Sequence, residues 1–230
     1  MNDDVKYRHE LKYLISIAEL HQIKNRLNNM IPLDSHVGES GVYNIRSLYF
    51  DDYYNRCFYE NENGTDPREK FRIRIYNHSP ERISLECKRK ERGKTLKTSC
   101  RLTEEQTRAL MRGEPLPNIG EQPPVCRKFT LEMLTHKLHP VVIVEYERIP
   151  YIYKNGNVRI TLDMNVSSSS AISDFLNGEV PKRPIMPAGM HLLEVKYDEY
   201  LPDFIYQNLQ LDDLRQTAYS KYYLCRKYSL

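Results

Sequence analysis

Five segments of this chain place charged side chains at every second position among strand-forming residues. They are Arg8-His9-Glu10-Leu11-Lys12, Phe71-Arg72-Ile73-Arg74-Ile75, Leu85-Glu86-Cys87-Lys88-Arg89-Lys90, Tyr146-Glu147-Arg148 and Glu194-Val195-Lys196. In a β-strand, residues two apart share a face. Arg72 and Arg74 therefore point one way, and Phe71, Ile73 and Ile75 the other. The apolar set faces a packed layer. The charged set faces either water, as ordinary sheet surface, or the inside of a sheet closed on itself. In the second case it is a binding site for a strongly anionic ligand.

The remaining periodicity decides how many such strands there are. Residues 5–15 alternate as a strand. Ser16 with Glu19 forms a capping box that opens a helix, with Leu20, Ile23, Leu27 and Met30 at helical spacing and Pro32 as its stop. A second strand is expected over 42–51, followed by a tyrosine-rich helical link closing at Asn63-Gly64. Strands over 69–77, 82–90 and 94–102 form a meander through Asn77-His78-Ser79-Pro80 and Glu91-Arg92-Gly93. Thr103 with Gln106 opens a short helix to Arg112, and a second helix covers 124–138 after a proline-rich loop. Strands over 140–152 and 157–166 flank the hairpin signal Lys154-Asn155-Gly156. Ser167–Ser170 and Pro181–Pro187 read as loops, 190–198 as the last strand, and Asp212 to Lys227 as a helix. The expectation is an α+β fold: an eight-stranded antiparallel closed β-barrel with surrounding helices and a C-terminal helix, forming a single domain over 1–230.

Composition narrows the partners. Lys and Arg number 34 against 31 Asp and Glu, so the net charge is only +3 and no nucleic-acid partner is expected. Any anion site must come from local arrangement. The 18 tyrosines suit half-polar cavities, since each has an apolar body and a polar tip. Five cysteines, with no C-x-x-C pair, indicate neither a zinc ribbon nor a disulfide framework. The simplest reading is reduced thiols in a cytoplasmic setting. Met1-Asn2-Asp3-Asp4 shows no apolar signal region, and no stretch reaches membrane-span length, which leaves room for a membrane-bound partner.

The alternating sets are Arg8/Glu10/Lys12, Arg72/Arg74, Glu86/Lys88/Lys90, Tyr146/Arg148, Arg159/Thr161/Asp163 and Glu194/Lys196. Arg presents a planar fork matched to phosphate oxygens. Glu among such cations can hold a divalent metal that bridges phosphates. So many cations in a narrow lumen repel one another and require a polyanionic guest. Asp163 reads as the salt-bridge partner of an inward Arg rather than a metal ligand. Glu145 and Glu147, opposite Tyr146 and Arg148, read as exterior.

Taken in order, several segments resemble the VTC (vacuolar transporter chaperone) catalytic domain, of the triphosphate tunnel metalloenzymes that also include the CYTH hydrolases. They are Tyr7-Arg8-His9-Glu10-Leu11-Lys12-Tyr13, Ser47-Leu48-Tyr49-Phe50-Asp51, Lys70-Phe71-Arg72-Ile73-Arg74-Ile75-Tyr76, Leu85-Glu86-Cys87-Lys88, Glu145-Tyr146-Glu147-Arg148, Leu193-Glu194-Val195-Lys196-Tyr197-Asp198 and Ser220-Lys221-Tyr222. The resemblance implies a polyphosphate polymerase acting on ATP and polyphosphate, with Mn²⁺ or Mg²⁺ as cofactor. It implies that Lys12, Arg72, Arg74, Lys88, Arg148 and Arg159, with Lys97, hold phosphates, and that Tyr146 lines the tunnel. Glu194 would bind the metal, with Glu10 as a second candidate. Ser220 and Lys221 would reach in from the C-terminal helix, and Arg8, Lys90 and Lys196 complete the substrate-binding cations. The hydrolase branch begins with E-x-E-x-K, whereas this chain has Arg8 at the first position. That departure favours polymerase over triphosphatase chemistry. A triphosphatase and a non-catalytic polyanion-binding module are the alternatives.

Overall fold

The computed structural model describes residues 7–228. The first two residues of the expected 5–15 strand, and the N-terminal Met1–Asp4, lie outside that range. Strand β1 (His9–Ser16) leads into α1 (Ile17–Asn28). The capping box is present: the Glu19 backbone donates to Ser16 Oγ (3.3 Å) and the Ser16 backbone to Glu19 Oε2 (2.6 Å). Next come β2 (Tyr43–Asp51), α2 (Arg56–Glu62), and the meander β3 (Arg68–Tyr76), β4 (Ser79–Glu91) and β5 (Lys94–Leu102). Its two turns carry positive φ at Asn77 and His78 (50° and 56°) and at Arg92 and Gly93 (49° and 76°). That is the conformation whose twist matches the strands of a tight hairpin. Helices α3 (Glu104–Met111) and α4 (Pro124–His136) follow, then the long pair β6 (His139–Tyr153) and β7 (Val158–Ser169). At the β6–β7 turn, Gly156 has φ +72°, and an added Cβ would lie 2.8 Å from the Tyr200 carbonyl, so the turn requires glycine.

Eight strands pair antiparallel in the order β1-β9-β7-β6-β2-β3-β4-β5, where β9 is Met190–Tyr197; the two-residue β8 (Arg183–Pro184) pairs with β7. The sheet curls until its edges meet. Arg8 and Thr95 exchange two backbone hydrogen bonds of 2.9 Å, joining the chain just before β1 to β5. This is a single bridge and not a ladder, so the sheet is a curled half-barrel touching at one rim rather than the continuously closed barrel expected.

Alternation sorts the faces. On the convex side, α3 and α4 cover Leu48, Phe50, Phe71, Ile73, Ile75 and Leu85. Helix α1 and α5 (Asp203–Leu209) cover Ile15, Tyr151, Ile160, Leu162, Leu193 and Val195. The concave side is packed by the last helix, α6 (Lys221–Lys227), whose Tyr222 and Cys225 meet Tyr49, Val142, Val144 and Tyr146. Among the described residues no helix is long and apolar enough to cross a membrane.

Four expectations change. Ser167 to Ser169 belong to β7, because Ser167 and Ser168 pair with both β6 and the unexpected β8. The Asp212–Lys227 helix is reduced to α6. Residues ahead of it run extended along β1, with the Thr217 backbone donating to the Lys12 carbonyl (2.8 Å). Cys100 on β5 and Cys126 on α4 form a disulfide, since these two elements pack together; Cys57, Cys87 and Cys225 are buried and not disulfide-bonded. The thiols are therefore not all reduced. Glu145 faces away from the cavity but is buried, not exterior. It pairs with fully buried Arg46 (2.6 Å) and with Lys182 (2.6 Å). Arg46 also donates to the carbonyls of Phe175, Asn177 and Gly178, pinning the loop after β7.

Removing one partner of a buried ion pair strands the other charge and its acceptors. Arg46→Ala is expected to cost about 3 kcal/mol of folding stability. Urea denaturation at neutral pH measures this; a loss below about 1 kcal/mol would show the loop anchored by other contacts.

Candidate anion-binding site

The concave face encloses a cavity of about 370 Å³. Register explains its lining, because directly opposed residues share a face. Arg68, Lys70 and Arg72 on β3 lie opposite Lys90, Lys88 and Glu86 on β4. Glu10 and Lys12 on β1 lie opposite Lys196 and Glu194 on β9. Tyr146 and Arg148 project from β6, and α6 delivers Lys221. Ser220 caps α6 by accepting from the Tyr223 backbone (3.3 Å). Lys12 Nζ donates to the Tyr219 carbonyl (2.8 Å), tying the segment before α6 to the sheet.

Among the described residues, ten cationic side chains line this space against two carboxylates, Glu10 and Glu194. Two more carboxylates, Glu86 and Asp163, are buried behind them. Glu194 receives Lys221 (2.7 Å), Lys196 (2.8 Å), Arg148 (3.3 Å) and Lys12 (3.8 Å). Asp163 takes both arms of Arg148 (2.6 and 2.7 Å) and Lys221 (2.5 Å), as the salt-bridge reading anticipated. Glu86 takes Arg72 (2.6 Å) and Lys97 (2.9 Å), and Glu10 takes Lys88 (2.6 Å).

Burial alone raises a carboxyl pKa. Here Lys196, Lys221, Lys12 and Arg148 outweigh it at Glu194 and hold that group well below the ordinary carboxylate range. Arg72, Arg74 and Lys97 do so at Glu86, and Lys12, Lys88 and Lys196 at Glu10. Lys221 is raised against burial by Asp163 and Glu194. The opposite occurs where burial outweighs the attraction of nearby acids. Burial, then repulsion from Arg68 and Lys88, brings Lys70 down to about 7. Burial takes Lys88 to about 8 even with Glu10 beside it.

The expected residues divide accordingly. Lys12, Arg72, Arg74, Lys88, Arg148 and Glu194 all line the cavity, as do Glu10, Lys90, Tyr146, Lys196, Ser220 and Lys221. Three expected substrate-binding residues do not. Arg8 turns to Asp198 (2.9 Å) and the Asn157 carbonyl at the rim, so it adds no cation to the cavity. Lys97 is half exposed and held on Glu86. Arg159 bonds Asp34 and the Tyr43 hydroxyl (both 3.0 Å), away from the lining. Lys70 and Arg68 were missed, although they continue the Arg72/Arg74 alternation two and four residues before Arg72. Tyr49, Asn61 and Tyr222 carried no such signal; Tyr222 is placed by its hydroxyl bond to buried Asp51.

Glu10 and Glu194 are the carboxylates available to a divalent cation. Both lie near Lys12 Nζ (3.5 and 3.8 Å) and Lys196 Nζ (3.8 and 2.8 Å). No group of three His, Cys, Asp or Glu side chains suited to a metal occurs among the described residues. Two carboxylates completed by phosphate oxygens fit Mg²⁺ or Mn²⁺.

The VTC domain family model matches residues 7–230. Among curated proteins none matches. A protein of Hippeastrum assigned as an adenylyl cyclase, and described as having a dominant triphosphatase activity, superposes with a TM-score of 0.57 at 13% identity. The match covers 98% of this chain and 97% of that one. A Bacillus halodurans protein assigned as an adenylate cyclase gives 0.53 at 14% identity, over 94% of each chain. The PH1819 protein of Pyrococcus horikoshii gives 0.50 at 15%, over 96% and 99%.

A bound polyanion favours the charged form of Lys70, which in the free protein titrates at about 7. Binding of a linear polyphosphate long enough to reach Lys70 should therefore take up a proton at pH 8, and its affinity should fall as pH rises from about 7 to 9. Calorimetry in two buffers of different ionisation enthalpy measures the uptake; zero uptake would contradict the assignment. In the free protein the sign reverses. The unfolded chain holds this proton to a higher pH, so the lysine's destabilising effect is full below pH 7 and relieved as pH rises above it.

Proposed function

We propose a function from one premise: the chain belongs to the VTC domain family and has the triphosphate-tunnel (CYTH-like) fold. It is a polyphosphate polymerase, a single tunnel domain over 1–230 that transfers the γ-phosphate of ATP to the end of a polyphosphate chain. One observation carries this reading: ten cations face a cavity with only two carboxylates on its wall. Phosphoryl transfer is chiefly positioning and charge neutralisation, and this wall supplies both.

The residues take distinct parts. Arg72 and Arg74, oriented by Glu86 and by the hydroxyls of Tyr49, Ser47 and Tyr146, offer fork-shaped donors to phosphate oxygens. Arg148, set by its two bonds to Asp163, does the same from β6. Lys12, Lys88, Lys90 and Lys196 add point charges, and Lys221 approaches from α6. Mn²⁺ or Mg²⁺ held by Glu194, with Glu10, would withdraw charge from the terminal phosphate. A terminal oxygen of the acceptor chain attacks the γ-phosphorus, the bond to the β–γ bridging oxygen breaks, and ADP leaves. The chain grows by one phosphate with no covalent enzyme intermediate.

Hydrolysis of the triphosphate is the second reading, supported by the activity ascribed to the Hippeastrum relative. Arg8 argues against it. Where the hydrolase branch has a carboxylate, this chain places a guanidinium committed to Asp198.

Incubation with ATP and Mn²⁺ should yield long polyphosphate on a gel. ADP and orthophosphate alone would sink the polymerase reading, and tight binding without turnover would leave a binding module. Arg72→Ala or Arg74→Ala should each weaken nucleotide binding by about 1–3 kcal/mol. Unchanged affinity in both would place that strand face outside the site. Glu194→Gln should abolish turnover yet tighten metal-free binding of tripolyphosphate, because it removes a negative charge facing the phosphates. Weaker metal-free binding would count against this placement of Glu194.

A further inference from the structure

The charge on the cavity wall changes character along β3 and β4. Toward the Arg74 end of β3, opposite signs meet: Arg72 faces Glu86 across the strands. Toward the other end, like charges face each other: Lys70 opposite Lys88, then Arg68 opposite Lys90. Like charges directly opposed across an antiparallel pair destabilise it. Lys88 is relieved by Glu10, but Arg68, Lys70 and Lys90 have no carboxylate partner among the described residues. Lys70 is held only by neutral groups: Asn61 Oδ1 (2.5 Å), Ser220 Oγ (3.3 Å) and the ring of Tyr222 (5.0 Å). Arg68 donates to the Thr65 carbonyl (2.7 Å).

We propose that Arg68, Lys70 and Lys90 form an acceptor subsite. It takes the phosphates of a linear inorganic polyphosphate beyond those of a triphosphate held at the Arg72–Arg74–Glu194 end. This rests on the phosphate-transfer reading above and divides that site in two. From Arg74 to Arg68 the strand advances six residues, about 20 Å, so the row of donors is longer than a triphosphate. At the inner end the cations are already committed to Glu194, Asp163 and Glu86, which orient them. At the outer end they are uncommitted, and a phosphate chain is the counter-ion they lack. The depressed titration of Lys70 agrees, since it reports a cation without an anion. Lys70 also links the sheet to α2 through Asn61 and to the α6 cap through Ser220, so an acceptor chain there touches all three elements around the mouth.

The test is calorimetric titration of the whole chain, without metal, with tripolyphosphate and with a longer linear polyphosphate of defined length. The wild type should bind the longer chain more tightly. Lys70→Met, and separately the pair Arg68→Gln with Lys90→Met, should weaken the longer chain about tenfold more than tripolyphosphate, or about 1.4 kcal/mol. Both variants remove mutual repulsion, so thermal melting should show them at least as stable as the wild type. A variant that melts lower is judged by the other one. Equal weakening of both ligands, or an unchanged ratio in both variants, overturns the subsite. A wild type that binds neither ligand overturns the phosphate-transfer reading itself. One that makes polyphosphate while its variants keep the ratio overturns the subsite alone.

Discussion

Four cations converge on the carboxylate of Glu194, and the rest of the concave face is arranged around that meeting. Lys196 comes from the same strand, Lys12 from β1, Arg148 from β6 and Lys221 from α6. A buried carboxylate is tolerable only with its charge balanced, and each of these cations is tolerable only with an anion near. The cluster therefore acts as a register device. A one-residue slip of β1 against β9 would send Lys12 to the apolar side and break the balance.

The same balance explains why α6 lies inside the curl. Lys221 is needed by both Glu194 and Asp163, and Tyr222 reaches Asp51, whose carboxylate also accepts from the Cys57 and Phe58 backbones at the start of α2. Helices α2 and α6 are thus joined through one buried acid. The apolar flank of α6 covers Tyr49, Val142, Val144 and Tyr146, which would otherwise line an empty lumen. What remains is a cavity walled by β1, β3, β4, β6 and β9 and bordered by the extended 216–220 segment.

Charge compensation is deliberately incomplete in one direction. A nearby carboxylate orients a buried arginine, and attraction of an anion requires surplus positive charge. The wall satisfies both by separating them along the strands, with acids paired to the cations around Arg72, Arg148 and Lys221 and, among the described residues, none at ion-pair distance from Arg68, Lys70 and Lys90. A uniformly neutralised wall would offer no surplus positive charge to an anion.

The strands, their antiparallel order within the meander and the two capping boxes were legible in the sequence, because period-two alternation and cap residues act locally. So was most of the cavity lining, since alternation assigns a face without knowledge of the fold. Reading the same alternation two and four residues back from Arg72 would have found Lys70 and Arg68. Faces alone could not separate Arg8, Lys97 and Arg159 from the lining, because each is drawn aside by a carboxylate, Asp198, Glu86 and Asp34 respectively. Nor could local pattern show that the chain before α6 runs extended along β1, that Cys100 meets Cys126, or that Glu145 is buried by Arg46. Each depends on what a distant segment brings. The sequence by itself determined which side chains share a face and that this face is cationic. Only the tertiary structure decided which of those cations are neutralised, because pairing depends on distances between strands far apart in the chain.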